Sequence, residues 1–232
     1  MRQKLVITDL NKSYGKKEVL KDVNISFDEG KIYSLIGVNG SGKTTFFNCV
    51  DGDLVYNGGK VELEDENGER RKLKFDDVGL VLDSPMLPDY LTGYEFLYFF
   101  ASLHGEKDEK VIDSYFDMVQ IKEEDRHRIL RDYSFGMKNK IQLLCCLIRK
   151  PKVILLDEPL SSFDIIVSHQ IKEALVKMKS EHIIVMSTHI MQLAQDISDE
   201  IVLLRDKKMQ LMNSIDIHSP EFEKYIIEEL SE

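Results

Sequence analysis

Apolar residues recur along this chain at three spacings, and each spacing predicts a different kind of element. Near the N-terminus, Leu5-Val6-Ile7, Val19-Leu20 and Val23 to Phe27 are strand-like runs, separated by turn signals at Tyr14-Gly15-Lys16-Lys17 and Asp28-Glu29-Gly30. Lys60 to Leu63 continues this β-rich region, and Glu66-Asn67-Gly68-Glu69 marks a hairpin. Short continuous apolar runs at 31–36, 78–82, 153–157 and 182–187 suit buried strands, the last two parallel and covered on both faces. Ser168 to Lys179 reads as the crossover helix between those two. From Pro85 to about Ile148 the spacing turns helical, which predicts an inserted helical lobe. Ile201 to Leu204 and Lys208 to Met212 form a closing hairpin, followed by an acidic, helix-prone tail from Asp216.

Chemistry enters at the end of the 31–36 strand. Gly37-Val38-Asn39-Gly40-Ser41-Gly42-Lys43-Thr44 fits G-x-x-x-x-G-K-[ST] at every specified position, with Thr44 to Val50 able to continue as a helix. Glycines let the backbone curl, so that its N–H groups and the helix N-terminus face an anion. Lys43 adds a point charge for the β and γ phosphates, and the Thr44 hydroxyl is a ligand for Mg²⁺. The chain is therefore predicted to bind a nucleoside triphosphate. The fold class that follows is α/β: a P-loop NTPase core with a mixed sheet, an N-terminal antiparallel β region and an inserted α-helical lobe. One domain is expected over 1–232, with a nucleotide-binding core at 1–84 and 149–215, the helical lobe at 85–148 and the tail at 216–232.

Bulk composition narrows the setting. The 232 residues are 43% hydrophobic and 31% charged, which is ordinary for a globular chain, and no stretch approaches the length of a membrane span. No secretion signal opens the sequence, so a cytoplasmic location is expected. A net charge of −10 argues against gripping nucleic-acid phosphates as the main activity. Cys49, Cys145 and Cys146 have neither zinc-ligand spacing nor disulfide logic and are expected to be buried thiols.

A second carboxylate motif complements the phosphate loop. The run ending at Asp157 delivers a metal-binding carboxylate at a strand end, and Glu158 beside it is placed to polarise the attacking water. Before this run, Tyr133-Ser134-Phe135-Gly136-Met137 leads into an amphipathic helix, Lys138 to Arg149, with Ile141, Leu144, Cys145 and Ile148 on one face. Ser134 suits an N-cap, and its hydroxyl with the Gly136 N–H and the helix dipole offers a second anion site. Taken alone, that motif better suits a plain capped helix.

Taken together, the phosphate loop, Tyr133-Ser-Phe-Gly-Met, Leu155-Leu156-Asp157-Glu158-Pro159, Ser161-Ser162-Phe163-Asp164 and Ser187-Thr188-His189 resemble the ATP-binding subunits of ABC transporters across nearly the whole chain. The resemblance implies an ATPase that drives a separate membrane-spanning subunit. It places Tyr14 against adenine, and Gly37, Asn39, Gly40, Ser41, Gly42, Lys43, Thr44 and Thr45 around the phosphates. It makes Glu158, His189 and Lys43 catalytic, with Thr44, Asp157 and Asp83 at Mg²⁺. Ser134 and Gly136 would close over ATP held by a second ATP-binding subunit, a homodimer or a similar chain, and Asp164 would couple the two sites. Likeness of the Leu91 to Leu97 stretch to exporter-type subunits leans towards export, with the subunit peripheral on the inner face of the cell membrane. A soluble ATPase of the same type, acting in cofactor assembly, is the alternative.

Three positions depart from the family pattern. Phe135 and Met137 stand where it has Gly and Gln, and Asp83 replaces the usual Gln. The aromatic stretch Leu91 to Phe100 suits either the lobe's own core or a contact with the membrane subunit. In it, Phe96 and Phe99 are expected inside, and Tyr94 and Tyr98 at a contact. Aspartate keeps a metal-ligating oxygen but loses the amide donor and adds negative charge beside triphosphate. Asp83→Gln is therefore expected to tighten ATP binding or relax its dependence on Mg²⁺; equal binding by both proteins across a magnesium titration would refute this.

Overall fold

The computed structural model describes residues 3–160, 163–212 and 216–231; Ser161 and Ser162 of the motif above lie outside the described residues. Strands β1 (Lys4–Tyr14) and β2 (Lys17–Asp28) pair antiparallel. Leu5, Ile7 and Leu10 of β1 are buried, and the break in alternation falls at Asp9, whose φ is 47°. An irregularity in the pairing there takes up the extra residue and returns Leu10 to the core face. Strand β3 (Ile32–Ile36) leads through the phosphate loop into α1 (Lys43–Asp51). Strands β4 (Gly58–Glu64) and β5 (Arg70–Lys72) complete a four-stranded antiparallel sheet in the order β2-β1-β4-β5. Gly59, at φ +96°, lies where a Cβ would stand 2.3 Å from the Asp9 carbonyl oxygen, so only glycine admits this approach of β4 to β1.

After β6 (Val78–Val81) come the helices α2 (Gly93–Leu103), α3 (Glu109–Met118), α4 (Glu123–Arg126) and α5 (Phe135–Arg149). Thr92 and Glu95 fix the start of α2 through a reciprocal capping box, with Glu95 N–H donating to Thr92 Oγ1 at 3.1 Å and Thr92 N–H to Glu95 Oε2 at 2.9 Å. Strand β7 (Val153–Asp157), α6 (Ile165–Met178), β8 (Ile183–Ser187), α7 (Met191–Ile197), β9 (Glu200–Arg205) and β10 (Lys208–Met212) follow, and α8 (Phe222–Ser231) ends the chain. The larger sheet runs β10-β9-β3-β8-β7-β6, parallel throughout except for the β9–β10 hairpin. This is the mixed sheet and antiparallel N-terminal region expected from the sequence.

Period-two alternation in the parallel strands divides the interior. Ile154 and Leu156 of β7, with Ile184 and Met186 of β8, face a core shared with the helical segments. Val153, Leu155, Ile183 and Val185 face the opposite core, with Phe46 and Phe47 of α1 and Phe27 of β2. Both faces are covered, which is why these strands carry no polar alternation. A smaller third cluster seats Phe222 and Ile226 of α8 against Ile36, Ala194 and Leu203.

The lobe corrects two expectations. Phe99, expected inside, is 58% exposed. Tyr94 is half-buried and stacks on Phe116 with ring centroids 6.1 Å apart. Gly93, Leu97 and Ala101 form the buried stripe of α2, and Phe99 projects from another face. Cys145 is half-buried, not fully buried; Cys146 is the buried one of the pair, and the buried arc of α5 extends over Leu143, Leu144, Cys146 and Leu147. All three cysteines are free, and burial pushes the Cys49 thiol up to about 11 and that of Cys146 up to about 12, so they stay protonated.

Because α8 is acidic outside and apolar inside, its packing rests on few side chains. Phe222→Ala should cost about 3–5 kcal/mol of unfolding free energy in urea. Lys224→Ala, on the exposed side, should change it by less than about 0.5 kcal/mol. Equal midpoints for the two variants would remove α8 from the folded core.

Candidate functional site

Strand β3 ends at a loop in which two glycines are required by contact. A Cβ on Gly37 would lie 2.7 Å from both the Leu204 carbonyl oxygen and Ser41 Oγ. Gly42, at φ +115°, would bring one to 2.8 Å from Val19 Cγ1. The loop thus lies tightly between β9 and β2 and opens into α1. Lys43 is buried, and its Nζ donates to the Gly37 carbonyl at 2.7 Å, bending back over the loop. Burial lowers its pKa, while the nearby Glu158 and Asp157 carboxylates pull the other way.

The second half of the site comes from adjacent parallel strands. Asp157 pairs with Ser187 in the β7–β8 ladder, so the two side chains emerge together at the C-terminal sheet edge. Ser187 Oγ donates to Asp157 Oδ1 at 2.5 Å and accepts the Glu158 N–H at 3.0 Å. The other carboxylate oxygen of Asp157 accepts from Thr44 Oγ1 at 2.6 Å. Asp157 therefore joins α1, β7 and β8 at one buried point. Glu158 then turns through φ 51°, a left-handed conformation that costs a non-glycine residue on the order of 1 kcal/mol, and its Oε2 lies 2.9 Å from His189 Nδ1.

A cleft of about 370 Å³ opens over these groups. Its lining brings together Tyr14, Asn39, Gly40, Gly42, Lys43, Thr44, Thr45, Asp83, Asp157 and Glu158. Tyr14 is at the end of β1, 48% exposed, with Lys12 Nζ 4.8 Å from its ring centroid. His189 reaches the cleft through its bond to Glu158, and Gly37 through the carbonyl that holds Lys43. Ser41 lines a neighbouring recess with Leu204 and Leu230.

Ser134, Gly136 and Asp164 are not among the residues lining this cleft. Ser134 caps α5 by accepting the Met137 N–H at 3.3 Å, and Gly136 lies in the first turn of that helix. Asp164 caps α6, accepting from Ile166 and Val167 N–H at 3.0 Å each; these bonds hold its carboxyl below the usual range. Lys17 and Val19 line the cleft without having been singled out in sequence. Their only signal was the Tyr14-to-Lys17 turn, which returns β2 alongside the phosphate loop. Ser187 was visible only as part of a motif, because its bonding depends on strand register.

The oxygen donors suit a hard cation. Thr44, Asp157 and Asp83 supply one hydroxyl and two carboxylates to one cleft, a donor set of the kind that holds Mg²⁺ together with substrate phosphates.

Residues 20–161 match the family model described as ABC transporter. The chain belongs to the ABC transporter family. This ABC ATPase is 30% identical over 213 residues to the lantibiotic transport ATP-binding protein SrtF of Streptococcus pyogenes, with 91% of each chain covered. It is 30% identical over 201 residues to the bacitracin transport ATP-binding protein BcrA of Enterococcus faecalis, covering 85% of this chain and 65% of that one. Identity to the phosphate import ATP-binding protein PstB 2 of Lactobacillus johnsonii is 31% over 212 residues, 84% of each chain. A solved structure described as the ATP binding subunit of an ABC transporter shares the fold, with TM-score 0.84, 24% identity and coverage of 98% of this chain and 99% of the other. ABC subunits of this kind hydrolyse ATP to drive a membrane-spanning partner. Among the described residues, no helix of this ABC subunit is long and apolar enough to cross a membrane.

Ser187→Ala removes the hydroxyl that holds both Asp157 and the Glu158 N–H. It should lower unfolding free energy by about 1–3 kcal/mol, the usual cost of an orphaned buried polar group. In steady-state ATPase assays kcat should fall more than KM changes; an unchanged kcat would separate Ser187 from the reaction.

Proposed function

We propose that this subunit powers a membrane exporter by ATP-driven closure of a head-to-tail homodimer, sitting on the inner face of the cell membrane through its partner. What carries this reading is the division of the site: Lys43, Thr44, Asp157 and Glu158 share one cleft, while Ser134 and Gly136 sit apart at the start of α5. A second copy would bring its own Ser134 hydroxyl and Gly136 N–H to the γ-phosphate, so one ATP would bridge two chains. Charge complementarity supplies the closing force, and loss of the γ-phosphate removes it.

Within each half-site the side chains take separate roles. Tyr14 stacks on the base, and the N–H groups of the 37–45 segment with Lys43 hold the phosphates. Thr44, Asp157 and Asp83 would hold Mg²⁺, which when bound neutralises phosphate charge. Glu158 accepts a proton from the attacking water, and His189, hydrogen-bonded to that carboxylate, contacts the γ-phosphate and helps hold the water. Asp164, at the N-terminus of α6, would relay closure between the copies. The core at 1–84 and 149–215 thus carries nucleotide, and the lobe at 85–148 carries the partner-facing surfaces. An apolar groove lined by Met86, Leu87, Phe96 and Phe100 supports docking of a helix of the membrane subunit there.

Export is supported by the relatives named for lantibiotic and bacitracin transport, which match over most of this chain. The phosphate import relatives give the competing direction. Glu158→Gln is expected to keep ATP, lose turnover by about 10²-fold or more and accumulate as a dimer on size exclusion. Affinity capture of that variant from solubilised membranes with Mg²⁺-ATP should bring a polytopic protein in near-equal amount. Co-expression of that protein with the wild-type subunit should protect cells from an external antimicrobial peptide. Faster phosphate uptake without protection would reverse the assigned direction, and a monomeric Glu158→Gln variant would overturn the closure scheme.

A further inference from the structure

We propose that Gln142 is a positioning residue that sets where Asp83 stands in the nucleotide cleft, tying helix α5 to the metal end of the site; this rests on the reading that Asp83 faces bound nucleotide and Mg²⁺. Strand β6 lies at the edge of the larger sheet and ends at Val81, so Leu82 and Asp83 leave the ladder just where the chain enters the cleft. Gln142 lies two turns into α5 and is half-buried. In the amide orientation that satisfies both groups, its Nε2 donates to the Leu82 carbonyl at 3.2 Å and its Oε1 accepts the Leu82 N–H at 3.0 Å.

One primary amide thus pairs with both backbone groups of one residue, as a neighbouring strand would. The next residue is Asp83, whose Cα is about 3.8 Å further along the chain. A shift of α5 is passed to Asp83 through this pairing, whereas the sheet holds only as far as Val81. Gln142 also lines the apolar groove beside Met86, Leu87 and Phe96, so it touches both the cleft-bound strand end and the lobe surface. The same helix begins at Ser134, so the position of Asp83 and that of the helix N-terminus are not independent.

The test is a double-mutant cycle on the full chain, reading equilibrium binding of trinitrophenyl-ATP across a free Mg²⁺ titration. Gln142→Met keeps length and packing while removing both hydrogen bonds; Gln142→Glu keeps the acceptor and loses the donor, and carries the test if the first variant fails to fold. Asp83→Ala should shift the half-saturating Mg²⁺ concentration, and Gln142→Met should shift it in the same direction by about three- to tenfold. The double variant should match Asp83→Ala alone, since Gln142 acts only through Asp83. An additive double variant, or loss of stability with no change in Mg²⁺ dependence, overturns the inference. If Asp83→Ala itself leaves the titration unchanged, the placement of Asp83 at the metal has failed. A shift with Asp83→Ala but none at Gln142 defeats the positioning role alone.

Discussion

The Asp157 carboxylate, shared between the Thr44 and Ser187 hydroxyls, is the contact on which the site depends. A buried carboxylate is tolerated only when its oxygens are satisfied, and here each takes a hydroxyl from a different element. The phosphate loop and the acidic motif are more than 100 residues apart in sequence. This one acid fixes their separation before any nucleotide arrives. A hydroxyl pointing at a carboxylate is also a poised metal site, since both are hard oxygen donors.

Around that point the architecture is a consequence of burial on two sides. Parallel strands carry their odd and even side chains into different cores, so neither face can be polar and the polar chemistry is pushed to the strand ends. At the C-terminal edge, Asp157, Ser187 and the phosphate loop arrive together because β7, β8 and β3 are neighbours in the sheet. Helix α8 closes the outer side of the same region, resting on Ile36 immediately before the loop.

Much of this could be read from residues whose requirements are local. Gly37 and Gly42 have no tolerated alternative where they stand, and the apolar runs of β3, β7 and β8 admit only buried strands. What escaped was decided by partners distant in sequence. The phase of α2 is ambiguous in a stretch where aromatic residues fall on every face of the helix, and it is settled by Phe116 and His127 packing on Tyr94. Ser187 looks like an ordinary strand-end serine until β7 is laid beside it. The burial of α8 hides behind its acidic exposed face, and the pairing of Gln142 with Leu82 exists only once the helix lies on the strand end. A charge, an amide or an aromatic ring takes its meaning from a register that sequence does not carry.

The left-handed turn at Glu158 has a consequence for how such a protein can change. Its backbone is held against preference by Ser187, in a conformation that glycine adopts without cost. A chain freed from the need to turn over ATP would shed this backbone strain by giving up the glutamate for glycine. Thermal robustness and turnover therefore pull in opposite directions at this position, and improvement selected by heat alone would erode the chemistry first.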